Sequence, residues 1–188
     1  MTKIGITGSI SSGKTTASKY LSYKRGPFFS ADKVVRKLYS KKSFKRLVAK
    51  KLNFPVNLNF KKELKNKITS KNKSLKILGK IIHPIVRREM FVFLRKNKNK
   101  KLLFAEIPLL LENNLENYFD IIILIKSSKS YRLKRYKLNR GDKRLFDLLD
   151  SKQIKDTEKM KFCDHVVVNN KSLSILKKKL LNIIKNYV

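Results

Sequence analysis

Gly8-Ser9-Ile10-Ser11-Ser12-Gly13-Lys14-Thr15 places a glycine, four further residues and then Gly-Lys-Thr in one stretch. That spacing is the GxxxxGK[ST] phosphate loop, and each residue type has a task in it. The glycines let successive backbone N–H groups curl around an anion, and the loop leads into a helix N-terminus whose partial positive charge faces the same point. Lys14 reaches the β- and γ-phosphates of a nucleoside triphosphate, and the Thr15 hydroxyl is a ligand for Mg²⁺. Gly8, Ser11, Ser12, Gly13, Lys14, Thr15 and Thr16 are therefore the candidate ATP contacts, with Thr15 the candidate metal ligand.

Such a loop alone does not separate kinases from GTPases and motors. No guanine-specifying Asn-Lys-x-Asp stands where a small GTPase needs it, and 188 residues are too few for the added domains of most ATP-driven machines. A small-molecule kinase is the natural class. Other side chains could serve it. Glu106 closes an apolar run, where a Walker-B-type acid could hold Mg²⁺ through water. Glu112 is placed to bond backbone in the loop it follows. Arg140, with Arg135 and Arg144 nearby, lies at a glycine-containing break suited to a lid over the triphosphate, where a guanidinium stabilises charge on the transferring group and helps exclude water. Arg132 and Arg135 could equally be solvated helix surface. Asp32 stands where a helix N-cap belongs, just before Lys33-Val34-Val35. Asn169 follows the last strand and could lie beside adenine or simply turn the chain.

The elements that must position these groups are legible from periodicity. Lys3–Thr7 alternates around Ile4 and Ile6 as a first strand, and a helix from about Lys14 carries Ala17, Tyr20 and Leu21 inward. Gly26-Pro27 ends that helix, and Phe28-Phe29 supplies a second strand. From Asp32 to about Asn99 the pattern is helical, with Pro55 in a loop. Leu102–Ile107 and Ile121–Ile125 are continuous apolar runs, the mark of parallel strands covered on both faces. A basic segment over Lys129–Arg144 leads to a helix predicted to reach about Met160. His165–Val168 is the last strand, and Leu173, Leu176, Leu180, Ile183 and Ile184 form one stripe of a closing helix. Strands alternating with helices predict a doubly wound α/β fold.

Composition sets limits. The formal charge is +34, from 47 Lys and Arg against 13 Asp and Glu. Lys outnumbers Arg 37 to 10 and is spread along almost every segment. Sequence-specific nucleic-acid readers favour clustered Arg, so the charge reads as a general lysine bias that still attracts polyanionic substrates over long range. Cys163 is the single cysteine, which excludes an internal disulfide and a CxxC metal site. No apolar run is long enough to span a membrane, and the N-terminus reads as a strand rather than a signal peptide, so a cytoplasmic enzyme is expected.

Taken in order, the motifs resemble those of the dephospho-coenzyme A kinase family. Its loop usually reads GGIGSGKS/T. Its Asp-Ala-Asp is similar to Ser30-Ala31-Asp32, its His-Pro-x-Val-Arg to His83-Pro84-Ile85-Val86-Arg87, and its Pro-Leu-Leu-x-Glu to Pro108-Leu109-Leu110-Leu111-Glu112. Its basic lid resembles Asn139-Arg140-Gly141-Asp142 followed by Gln153, and its Ala-Asp-x-Val-Ile-x-Asn resembles Cys163-Asp164-His165-Val166-Val167-Val168-Asn169. Two departures stand out: Ser30 replaces the first Asp of the pair, and Lys62 stands where the family often has Arg.

The resemblance implies a P-loop kinase fold: a five-stranded parallel sheet with flanking helices, a helical acceptor-binding insertion and a small lid. The expected layout is a core of residues 1–32 and 101–188, an insertion at 33–100 and a lid at about 135–150. It implies ATP-dependent phosphorylation of the ribose 3′-hydroxyl of dephospho-coenzyme A, with Mg²⁺. Asp32, Lys14 and Arg140 are the implied catalytic groups, Asp32 orienting the 3′-hydroxyl; His83, Arg87 and Lys62 are the implied acceptor contacts. His83 on an apolar helical stretch is also compatible with a structural hydrogen bond. A monomer or small homo-oligomer is expected, with no membrane and no obligate nucleic-acid partner. Two rivals remain at this point: a kinase for another small acceptor, and a basic nucleic-acid-binding protein.

Overall fold

The computed structural model describes residues 1–56, 59–70 and 72–188, Asn72 by its backbone alone. In chain order its strands and α-helices are β1 (Thr2–Thr7), α1 (Lys14–Ser22), β2 (Phe28–Ser30), α2 (Ala31–Ser40), α3 (Lys42–Leu52), α4 (Phe60–Ser70), α5 (Asn72–Lys96), β3 (Leu102–Glu106), β4 (Ile121–Lys126), α6 (Lys129–Leu138), α7 (Lys143–Ser151), α8 (Asp156–Lys159), β5 (His165–Val168) and α9 (Leu173–Ile184). Two compact units result, Met1–Ser30 with Phe93–Val188, and Ala31–Val92.

The first unit is built on a five-stranded sheet in the order β2-β3-β1-β4-β5, parallel throughout. β3 is buried at every residue and β4 at all but its last, which is why both read as unbroken apolar runs. Ile4, Ile6, Phe104, Ile123, Ile125 and Val167 meet Ala17 and Leu21 of α1 and Leu176, Leu180 and Ile184 of α9 in one core. On the other face, Gly5 leaves room for Leu110 and Phe119, whose side chains a Cβ there would meet at 2.9 and 3.0 Å. After β1 the chain turns to one side for β2 and β3 and to the other for β4 and β5. That reversal opens a crevice at the carboxyl end of β1, where ligands of open α/β sheets bind.

The second unit packs α2, α3, α4 and the first part of α5 around Leu38, Phe44, Val48, Leu52, Phe60, Leu64 and Leu78. Tyr39 meets Phe44 edge-on at 5.4 Å, and burial pushes its phenol up to about 12.

Two local expectations need correction. The helix expected to run to Met160 stops at Ser151, and a connector separates it from the single turn of α8. The backbone of Ile154 and the side chains of Gln153 and Asp156 bond elsewhere, which competes with helix continuation. Leu173 is not on the inner stripe of α9: as its first residue it is exposed, and Leu176, Leu180 and Ile184 carry the burial.

Candidate functional site: a phosphate loop at the head of the sheet

Gly8–Thr15 spans the gap between β1 and α1, and its backbone takes the form that the motif requires. Gly8 and Gly13 have φ of +144° and +100°, and Ser11 is left-handed at +57°. A Cβ on Gly13 would also lie 2.2 Å from Asn169 Nδ2, so only glycine fits.

The peptide groups are sorted by direction. Ser9 O accepts from Lys14 Nζ at 2.8 Å and from Ser12 N at 3.1 Å. Ile10 O faces Arg132 Nη1 at 3.5 Å, while Ser12 O accepts from Asn169 Nδ2 at 2.8 Å and from Arg135 Nη1 at 3.3 Å. C=O and N–H of a trans peptide point opposite ways. Carbonyls of Ile10 and Ser12 held by outer side chains therefore turn the amides of Ser11 and Gly13 into the loop. Ser12 Oγ is buried with no hydrogen-bond partner among the described residues, and a Cβ on Gly8 would come within 2.9 Å of it.

At the strand ends, the register aligns Ser30 and Ile6 with Glu106. Glu106 is fully buried. Its Oε1 accepts from Thr15 Oγ1 at 2.5 Å and its Oε2 from Ser30 Oγ at 3.2 Å. A carboxylate this deep with hydroxyl partners, beside the loop, has the hard-oxygen chemistry that Mg²⁺ takes. Ser30, where the family has Asp, thus orients a carboxylate supplied by β3.

Several sequence-stated roles shift. Arg132 is no surface residue: it is buried, donates from Nε to Ser127 O at 3.0 Å and pairs with Asp150 at 2.5 Å. Arg135 is half-buried and also donates to Asn169 O at 2.9 Å. Asn169 is not a simple turn residue; it is a buried strut whose Nδ2 donates to Ser12 O. Glu112 does not bond backbone in its own loop: its Oε1 accepts from Ile154 N at 3.0 Å and lies 2.8 Å from the ammonium of Lys159, which is fully buried. Arg140 and Arg144 are exposed, and Arg140 adopts a left-handed φ of +60° in the turn between α6 and α7.

Asp32, Lys62, His83 and Arg87 belong to the second unit and are exposed there. Asp32 is not an N-cap: α2 begins at Ala31, so Asp32 sits inside the first turn, where its charge complements the helix dipole. Lys62 is the third residue of α4. His83 and Arg87 are one turn apart on α5, the His83 ring lies close over Gly79, and Pro84 removes one backbone donor from the helix. Sequence reasoning named Gln153 only through the resemblance and missed Ser127, Asp156 and Lys159; none has a local pattern that marks it.

The loop with its strand, its helix and its buried acid is shared by many kinases; the succession of the other motifs is what discriminates. The sequence profile of the family described as dephospho-CoA kinase matches residues 2–174. The chain belongs to the dephospho-CoA kinase family. A dephospho-CoA kinase of Rickettsia conorii is 30% identical over 187 residues, covering 99% of this chain and 97% of that protein. A crystal structure from Thermus thermophilus superposes with a TM-score of 0.76 at 27% identity, covering 100% of this chain and 98% of that one. A dephospho-CoA kinase from Campylobacter jejuni gives 0.67 at 23% identity, covering 98% and 96%, a likeness of fold. Membership makes the chain an ATP-using kinase of dephospho-CoA and favours neither rival. Among the described residues no helix is long and apolar enough to cross a membrane, and no His/Cys/Asp/Glu cluster forms a metal site by itself.

Proposed function

We propose that the chain moves the γ-phosphoryl group of ATP to the ribose 3′-hydroxyl of dephospho-CoA. The observation that carries the donor half is the sorted phosphate loop: outward carbonyls at Ile10 and Ser12, a buried Lys14 and a buried acid on Thr15. Amides of Ser11 and of Gly13 through Thr16 receive the β- and γ-phosphates, while the Ser12 amide stays on the Ser9 carbonyl and Lys14 leaves that carbonyl to meet them. Thr15, with Glu106 behind it, holds Mg²⁺, which neutralises charge on the phosphate oxygens when bound. The transition state is loose, so the protein's work is positioning and charge stabilisation rather than strong base catalysis.

In this reading Asp32 orients the 3′-hydroxyl and accepts its proton late, Arg87 and Lys62 meet acceptor phosphate, and His83 lies against the acceptor. Arg140 closes from the α6–α7 turn over the triphosphate. A strained, exposed turn is suited to such a movement.

The test is ADP release from Mg·ATP across candidate acceptors. Turnover should require dephospho-CoA and vanish in Lys14→Ala with the fold intact. Asp32→Asn should cut turnover at least tenfold with ATP binding nearly unchanged. Equal turnover with shikimate or a nucleoside monophosphate would refute the acceptor; full activity of Asp32→Asn would refute that residue's role.

A further inference from the structure

Ile10 N is engaged by a side chain from outside the loop. It donates to Gln153 Oε1 at 2.8 Å, and next to it Ser9 Oγ donates to Asp156 Oδ1 at 2.6 Å. Gln153 lies in the connector between α7 and α8 and Asp156 is the first residue of α8, 143 and 147 residues away in sequence from their partners. We infer that this connector is a positioning element for the phosphate loop, with Gln153 and Asp156 fixing the direction of the Ser9–Ile10 peptide. The inference rests on the reading of Gly8–Thr15 as the ATP site.

The geometry makes the coupling specific. The Ser9–Ile10 peptide points opposite to the next one. Its N–H turns out to Gln153, so its carbonyl turns in, where it receives the Lys14 ammonium. The following carbonyl, Ile10 O, turns out toward Arg132, which brings the Ser11 amide inward. The loop thus reverses direction between these two peptides, and Gln153 holds the first of them. Without that acceptor the Ile10 amide could rotate inward, withdrawing the Ser9 carbonyl from Lys14.

The connector is itself anchored. Glu112, beyond β3, accepts from Ile154 N and pairs with Lys159 at the end of α8, so both flanks are tied to the core of the same unit. Asp156 adds a short, charge-assisted bond to a serine that is almost fully buried. A carboxylate near a polyphosphate site is unfavourable for its charge. Its contribution is therefore the directed hydrogen bond, which an amide oxygen can also accept.

This makes a testable distinction between charge and geometry. Asp156→Ala, Ser9→Ala, the double variant and Asp156→Asn would be titrated with Mg·ATP by calorimetry and assayed for KM and kcat, alongside Gln153→Leu. Asp156→Ala and Ser9→Ala should each weaken Mg·ATP and raise its KM by about threefold to tenfold, the worth of one directed hydrogen bond. The double variant should equal either single one, because both remove the same bond. Asp156→Asn should stay within about twofold of wild type, Gln153→Leu should follow Asp156→Ala, and KM for dephospho-CoA should hold in all of them. Additive losses, an Asp156→Asn as weak as Asp156→Ala, or unchanged ATP affinity in both alanine variants would overturn the inference. Thermal melts identify a variant that fails to fold, and Ser9→Ala, which removes only a hydroxyl, then carries the test. Failure of the wild-type protein to bind Mg·ATP would instead refute the ATP site itself.

Discussion

Replacing Lys159 by methionine should destabilise the nucleotide unit far more than any other lysine change on this lysine-rich chain. Lys159 is fully buried, with its ammonium 2.8 Å from Glu112 Oε1. That approach is a contact between charges rather than an aligned hydrogen bond, and the ammonium has no aligned hydrogen-bond partner among the described residues. Glu112 Oε2 is buried without one as well. Methionine keeps the length and volume of the stem, so the cavity term is small. What remains is a carboxylate largely withdrawn from solvent that holds only the Ile154 amide. Leaving one member of a buried pair uncompensated costs about 3–5 kcal/mol. For a chain of this size each kcal/mol lowers Tm by about 2–4 °C, so a fall of about 6–20 °C is expected. Glu112→Gln with Lys159→Met removes the stranded charge while keeping the oxygen that accepts from Ile154, and should recover about 1–3 kcal/mol relative to Lys159→Met alone. Urea unfolding of the single variants and the double variant measures the coupling directly. A loss below about 1 kcal/mol in Lys159→Met, or a double variant less stable than it, would refute the view that this pair is a buried ionic clamp.

Two further outcomes follow from the site. Gly13→Ala should abolish Mg·ATP binding in a calorimetric titration while the core stays folded by circular dichroism, because the left-handed strain of about 1–2 kcal/mol adds to expulsion of Asn169 from Ser12 O; retained affinity would mean that the loop relaxes freely. Burial pushes the Cys163 thiol up to about 11, with Asp164 adding to the effect. A raised thiol pKa means less thiolate at every pH below it, so alkylation by iodoacetamide should be negligible at pH 8 in the folded protein and accelerate as pH rises toward 11, whereas the urea-unfolded chain reacts readily at pH 8; rapid labelling of folded protein at pH 8 would contradict this.

The phosphate loop and the strands were legible because each is a local pattern: fixed glycine spacing, or an apolar run ended by turn residues. Hidden were the side chains that act across long sequence separations. Lys159 reads as one more lysine among 37, and nothing near it announces that the fold closes over it. Asn169 reads as a turn because its partner, Ser12, is 157 residues away. The break after Ser151 was invisible for the same reason, since the groups that draw the chain out of its helix lie on β1's loop and beyond β3. Ser30 is the opposite case: the sequence exposed a missing carboxylate, and only the strand register brought Glu106 beside it.

The strand order also governs when this protein can first work during its synthesis. β1 is made about a hundred residues before the strands it pairs with, Leu102–Glu106 and Ile121–Lys126. At about 5–20 residues per second the ribosome takes several seconds to deliver them. Until then Ile4 and Ile6 have no sheet to join, and the nascent chain carries an apolar stretch that chaperones can capture. The glycine-rich loop after β1, made before either neighbouring strand, is among the last segments to take shape.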